Sequence, residues 1–353
     1  MCGASLEMSS GNSSALDRVL SVLLGAHSIG KGIIGKLTEK EKKNLRLASS
    51  AFKEAVNVSE EFGYKHKPIK TSLEVWKRKF PKAKYANISR RKDLTDANFV
   101  HLENLEYLDM GYCNQSKFTD AALTHLKNIH TLIIRGCTQI TDDAFKPLNK
   151  LTTLDISYCT QLSTKAFVHF KNIKKLTMNE WDKNKIYSDG FQNLENIEDL
   201  SMAFCQSRER IVENEGITNA VFNNLPNPDK LKKLDISYCV YLTDDIFTKI
   251  TNLLELNMMG CDKLTDTAFT HFKNIKILNM KNCSELTIEG INLTREKIPN
   301  LVLLNVKGCN PPTLKKAFEN FGVTTEDPIV KPQAGGYTRR SKVRRHSTRR
   351  KSN

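Results

Sequence analysis

Residues 231–252 read LKKLDISYCVYLTDDIFTKITN, and this stretch decides the fold. Counting Leu231 as zero, apolar side chains stand at offsets 0, 3 and 5, Cys239 at 8 and Leu242 at 11. Copies open at Leu105, Ile129, Leu151, Ile173, Ile197, Leu231, Leu253, Ile275 and Leu301, at intervals of 24, 22, 22, 24, 34, 22, 22 and 26 residues. Offset 8 is Cys in eight of the nine copies (Cys113, Cys137, Cys159, Cys205, Cys239, Cys261, Cys283, Cys309) and Trp181 in the other. A fixed register of this period describes units that each pack on their neighbours: a solenoid.

The physics of one unit follows from the spacing. Offsets 3 and 5 point inward across a short strand, so offsets 2, 4 and 6 face outward. A helical turn follows, and the pairs Thr119-Asp120, Thr141-Asp142, Thr243-Asp244 and Thr265-Asp266 read as its N-caps. Ala144, Phe145 and Leu148 point from that turn back to the strand. Asn128, Asn172, Asn196, Asn252, Asn274 and Asn300 end units, where Asn tolerates the left-handed conformation that stops a helix. Cysteines at offset 8 form a buried, unpaired column that bonds weakly to backbone. Trp181 is too large for that slot and is expected to swing outward or force a bulge.

The pattern L-x-x-L-x-L-x-x-C-x-x-L resembles that of leucine-rich repeats, in the variant with Cys in place of Asn, over residues 105–322. The resemblance implies an α/β solenoid with a parallel sheet inside and helices outside. Strands ~4.8 Å apart and helices ~8–10 Å apart make such a stack bend into a horseshoe with a concave sheet. Residues 81–104 read as a degenerate opening unit, with Ala83, Ala86 and Ile88 in the apolar slots and Arg91 in the Cys slot.

The chain divides at shifts of composition. Residues 1–15 are a Ser/Gly/Asn-rich lead-in, 16–60 a helical module, 61–82 a charged connector anchored by Trp76 and Phe80, 83–322 the solenoid and 323–353 a basic tail. Ile29, Ile33, Ile34 and Leu37 share one helical stripe, and Thr38 with Glu41 forms a capping box for a helix carrying Leu45, Leu47 and Phe52. The stretch 29–56, IGKGIIGKLTEKEKKNLRLASSAFKEAV, resembles the later part of an F-box. Leu45-Arg46-Leu47 matches that family's LRLV run, and Phe52 and Val56 its closing apolar pair. The Leu-Pro that usually opens the motif is absent; Ala26-His27-Ser28 stands there. The resemblance implies docking of Ile29, Ile33, Ile34, Leu37, Leu45, Leu47 and Phe52 onto a Skp1-like adaptor of a cullin ubiquitin ligase. A plain helical cap sealing the solenoid is the alternative. The order of F-box-like module and Cys-type repeats is similar to that of F-box/leucine-rich-repeat substrate receptors. The Lys- and Asn-rich wording resembles versions encoded by large DNA viruses of amoebae.

Composition bounds the function. No stretch approaches the ~20 apolar residues of a membrane span, and no secretory leader is evident, so a cytoplasmic or nuclear protein without membrane contact is expected. The formal charge is +15, and eight Lys/Arg without an acid lie in 339–353, leaving 15 − 8 = +7 for the rest. That tail, with Arg339, Arg340, Arg344, Arg345, Arg349 and Arg350, reads as an importin signal, a nucleic-acid contact or a solvated end. Target-binding candidates are Tyr112, Tyr158, Phe204 and Tyr238 at offset 7, with Arg135, Lys281 and Lys307 at offset 6. No phosphate-binding glycine loop, nucleophile elbow, metal spacing or cofactor motif occurs, so the expected role is binding, not catalysis. The competing role is an interaction scaffold with no ubiquitin link.

Overall fold

The computed structural model describes residues 67–205, 217–287, 290, 298, 300–306 and 309. Ten short strands follow in chain order: β1 Tyr85–Asn87, β2 Tyr107–Asp109, β3 Thr131–Ile133, β4 Thr153–Asp155 and β5 Lys175–Thr177. Then come β6 Asp199–Ser201, β7 Lys233–Asp235, β8 Glu255–Asn257, β9 Ile277–Asn279 and β10 Leu303–Asn305. They form one open parallel sheet in sequential order. The register is in phase throughout: Leu108 pairs with Leu132, that with Leu154, and the row continues through Leu176, Leu200, Leu234, Leu256 and Leu278 to Leu304. Each leucine is at most 2% exposed, so the row is the floor of the core. Such a side chain contributes roughly 1.5–3 kcal/mol on burial.

Most connecting turns are tighter than an α-helix, Asn219–Asn223 being an α-helical exception. Asp120–His125, Asp142–Phe145, Thr164–His169, Asp244–Thr248 and Asp266–His271 are all 3-10. A unit this short has few residues with which to cross its outer side, and a 3-10 turn rises ~2.0 Å per residue against ~1.5 Å for an α-helix. Their inward Phe145, Phe167, Phe247 and Phe269 are buried, and successive rings meet edge to face, Phe145 on Phe170 at 5.1 Å and Phe167 on Phe191 at 5.2 Å.

The N-terminal end is sealed. Within the stretch read as a connector, Ser72 Oγ accepts from Val75 N (3.3 Å) and starts helix α1, Leu73–Lys79. Trp76 and Phe80 are buried, and Ile69 N donates to Asn87 O at 2.8 Å, so chain covers the outer edge of β1. The helical module 16–60 and the basic tail lie outside the described residues.

Offset 8 forms the seam that joins units. Every described Cys Sγ there donates to the offset-5 carbonyl of the preceding unit: Cys137 to Met110, Cys159 to Ile134, Cys261 to Ile236 and Cys283 to Met258, at 3.1–3.2 Å. Trp181 does not bulge outward. It is 3% exposed, and its Nε1 donates to Ile156 O at 2.7 Å, the same carbonyl position that a thiol would reach. The slot selects an inward X–H donor, and Phe167, with its ring centroid 6.0 Å from the indole, lines the space the larger ring fills.

The Thr-Asp pairs also bridge units. Asp96 accepts from Thr119 N and Oγ1 (2.7 and 3.0 Å), Asp120 from Thr141, Asp142 from Ser163, Asp244 from Thr265 and Asp266 from Thr287. Asn219 takes the aspartate's place towards Thr243, donating Nδ2 to Oγ1 and accepting from N. The unit-ending asparagines are not left-handed. Asn172 and Asn196 instead donate Nδ2 to Asn149 O and Lys171 O, again one unit back.

Replacing Trp181 by Phe keeps an aromatic ring but removes the donor. The expected loss is about 1–3 kcal/mol, read as a lower urea midpoint with an unchanged slope; an unaltered midpoint would show that the seam bond contributes nothing.

Candidate functional site: the aromatic rim

The residue before the seam, at offset 7, forms a rim along one edge of the sheet. All nine described occupants have positive φ, between 57° and 67°: Arg90, Tyr112, Gly136, Tyr158, Glu180, Phe204, Tyr238, Gly260 and Asn282. The cause is local. In six of these units the seam N–H closes a four-residue turn onto the offset-5 carbonyl, as Cys137 N does to Ile134 O at 2.9 Å, and the third residue of such a turn is left-handed. Gly and Asn suit this position, whereas a bulky residue costs ~1 kcal/mol there. Four of the nine positions nevertheless hold Tyr or Phe.

These rings face solvent. Tyr112, Tyr158 and Phe204 are 38%, 41% and 36% exposed, and Tyr238 is half-buried. Tyr112 and Tyr238 lean along the rim over glycines. A Cβ at Gly136 would meet the Tyr112 ring at 2.9 Å, and one at Gly260 the Tyr238 ring at 2.7 Å. Tyr112 thereby comes within 6.4 Å of Tyr158, and Phe204 stacks on Tyr238 at 4.4 Å. The Arg90 guanidinium lies 5.8 Å from the Tyr112 ring centre, and Tyr158 Oη donates to Glu180 Oε1 at 3.2 Å. The four aromatics predicted from sequence are thus brought together in two pairs. Their companions Arg90, Gly136, Glu180 and Gly260 were missed, although aligning offset 7 on its own would have displayed them.

The sheet face beneath is less open than alternation implies. At offset 6, Ser157, Ser237, Gly111 and Ala203 are buried. At offset 4, acidic and amide side chains turn back to the strand end. Asp109 Oδ1 accepts from Gly111 N, Asp155 Oδ1 from Ser157 N and Asp235 Oδ1 from Ser237 N, each at 3.0 Å, and Asn257 and Asn279 do the same. Where Thr177 and Ser201 break this column, Asn179 Oδ1 accepts from Ser201 Oγ and Ala203 N instead, both at 2.8 Å.

Three pairs of charges on the face compensate each other. Arg135 pairs with Asp155, Lys175 with Asp199 and Lys233 with Glu255. Arg135, expected as a positive contact point, is therefore a neutralised, partly buried group whose Nε has no partner among the described residues. Lys281 is half-buried, and its N–H donates to Asn279 Oδ1 at 3.2 Å. Lys307, the F-box-like residues Ile29 to Phe52 and the tail arginines lie outside the described residues.

Burial sets the titration. It raises Asp109 and Asp235, and it lifts Tyr107 to about 12 with help from the Asp109 and Asp155 charges. Burial likewise holds Cys113, Cys159, Cys205 and Cys283 at about 12, so the seam thiols stay protonated near neutral pH. All eight seam cysteines are free. Among the described residues no cluster of His, Cys, Asp or Glu could hold a metal, and no helix is long and apolar enough to cross a membrane.

A family model described as Zer-1-like leucine-rich repeats matches residues 142–245. The chain folds as a leucine-rich-repeat solenoid. Among solved structures, a TLR13–ssRNA13 complex aligns at TM-score 0.50 and 18% identity, covering 67% of this chain and 34% of that one. The Drosophila Toll–Spatzle complex aligns at 0.46 and 15%, covering 66% and 34%. The yeast Rad7–Elc1 complex aligns at 0.38 and 14%, covering 86% and 94%. The repeat array thus spans about a third of the first two chains. No curated protein sequence matches.

Asp235 tests the strand-end role. Asp235→Ala leaves the buried Ser237 N–H without its acceptor and should cost about 1–3 kcal/mol. Asp235→Asn keeps the acceptor in the form used at Asn257 and should equal or exceed the wild type near neutral pH. Because the folded pKa of Asp235 is raised, the fold favours its protonated form; wild-type stability therefore recovers as pH falls through that folded value. The Asn variant's advantage should accordingly shrink in acid, as read from urea midpoints at each pH.

Proposed function

We propose that the protein is a binding adaptor: the repeat array holds a target protein, and the module at 16–60 docks on a Skp1-type subunit of a cullin ubiquitin ligase. The observation that carries target binding is the rim, where exposed Tyr and Phe occupy left-handed positions that structure alone would give to Gly or Asn. Strained backbone kept at an exposed aromatic is a feature of recognition sites, and rigidly held rings supply contact area at low entropy cost. Support for the ligase half comes from sequence: Leu45-Arg46-Leu47, Phe52 and Val56 match an F-box, and the module precedes Cys-type repeats. An adaptor of this kind positions one protein beside another and catalyses nothing itself.

Co-precipitation decides the ligase half. The full chain should capture a Skp1-type adaptor, and Leu45→Asp should weaken capture at least about tenfold while leaving the melting of the solenoid unchanged. No capture by the wild type, or equal capture by the variant, sinks this half and leaves a protein-binding scaffold.

The tail supports a second activity, because eight cations without an acid in 339–353 form a site for polyanions or import receptors. Deleting 339–353 should abolish nucleic-acid retention and nuclear accumulation; persistence of both would assign them to another part of the chain.

A further inference from the structure

We infer that the aromatic rim is a docking track for an uncharged, proline-rich segment in the polyproline II conformation. This deepens the target-binding half of the proposed function and is independent of the ligase half.

Charge comes first. Seven of the nine described rim residues carry none, and the two that do, Arg90 and Glu180, have opposite signs. Two cations on the face behind the rim are already paired, Arg135 with Asp155 and Lys175 with Asp199. A nucleic acid or an acidic peptide needs a row of uncompensated cations, which this rim does not present. The complementary partner is uncharged.

Backbone bonding comes second. Every rim N–H from Arg90 to Gly260 already donates to the offset-6 carbonyl of the next unit, among them Tyr112 to Arg135 O (2.6 Å), Tyr158 to Asn179 O (3.0 Å) and Phe204 to Ser237 O (2.9 Å). The rim therefore has no free row of N–H donors for an added β-strand. A polyproline II guest needs none, since its own backbone is solvated and proline rings meet aromatic faces directly.

Spacing comes third. The Tyr112–Tyr158 pair centres on β3 and the Phe204–Tyr238 pair lies between β6 and β7. Three to four strand spacings of ~4.8 Å separate them by roughly 17 Å. Polyproline II covers that distance in about five to six residues at ~3.1 Å each. Two proline clusters two turns apart on one guest face would thus meet both platforms.

The test uses acetylated decaproline and the full chain, with binding followed by calorimetry. Gly is native at this slot in Gly136 and Gly260, so Tyr158→Gly and Phe204→Gly relieve the left-handed backbone and should not lower the melting temperature. The expected result is decaproline binding that each variant weakens at least about tenfold, with undiminished melting. No binding at about 1 mM peptide, or equal binding by both variants, overturns the inference. So does equal affinity for a glycine–serine decamer, or capture of a ten-nucleotide oligothymidine that the same variants abolish. If decaproline fails while the Skp1-type subunit is still captured, only this inference falls.

Discussion

The bond from each seam side chain to the offset-5 carbonyl one unit back is the constraint on which the rest depends. It fixes the depth of the seam residue, while the seam N–H, turned back onto the offset-5 carbonyl of its own unit, goes with a left-handed residue just before it. The left-handed residue ends the strand and throws its side chain onto the rim. Acidic and amide side chains at offset 4 then close the strand end from the other side, as Asp109 and Asp235 do. One weak donor per unit thereby determines which side chains are interior, which are strand caps and which meet solvent. A neutral hydrogen bond adds only about 0.5–1.5 kcal/mol, so its influence is geometric and comes from repetition.

Much of this was legible in the sequence. The period located the strands, the in-phase leucine row and the buried column, because each depends on spacing within one unit. What the residues of one unit could not show is where their side chains go in the next. Asp120 after Thr119 reads locally as an N-cap companion, yet its carboxylate serves Thr141 of the following unit. Trp181 looked wrong by volume and proved equivalent by chemistry, since an indole N–H reaches the carbonyl that a thiol reaches. Asn at unit ends suggested a left-handed stop, but the positive φ belongs to the residue before the seam, where side-chain identity varies too widely to signal it.

The candidate site was half visible. Tyr112, Tyr158, Phe204 and Tyr238 stood out as aromatics at offset 7, and Arg135, Lys281 and Lys307 were read beside them as open cations at offset 6. Of these cations Arg135 is spent on the ion pair with Asp155, and Lys307 lies outside the described residues. The edge keeps exposed rings on left-handed backbone, at positions where Gly or Asn would fit without strain.

The junctions between units carry a consequence for the history of the array. Each is made by the same few groups, a seam donor with a carbonyl and a short polar side chain with the next turn's start. Thr164 with Tyr187 and Asn219 with Thr243 show the polar half accepting substitutes in which donors and acceptors trade places. A unit copied whole would meet a compatible neighbour on both sides, and a deleted one would leave two ends that still match. Length is therefore the property of this protein that gene duplication and loss can alter most freely, while the rim lengthens or shortens in step.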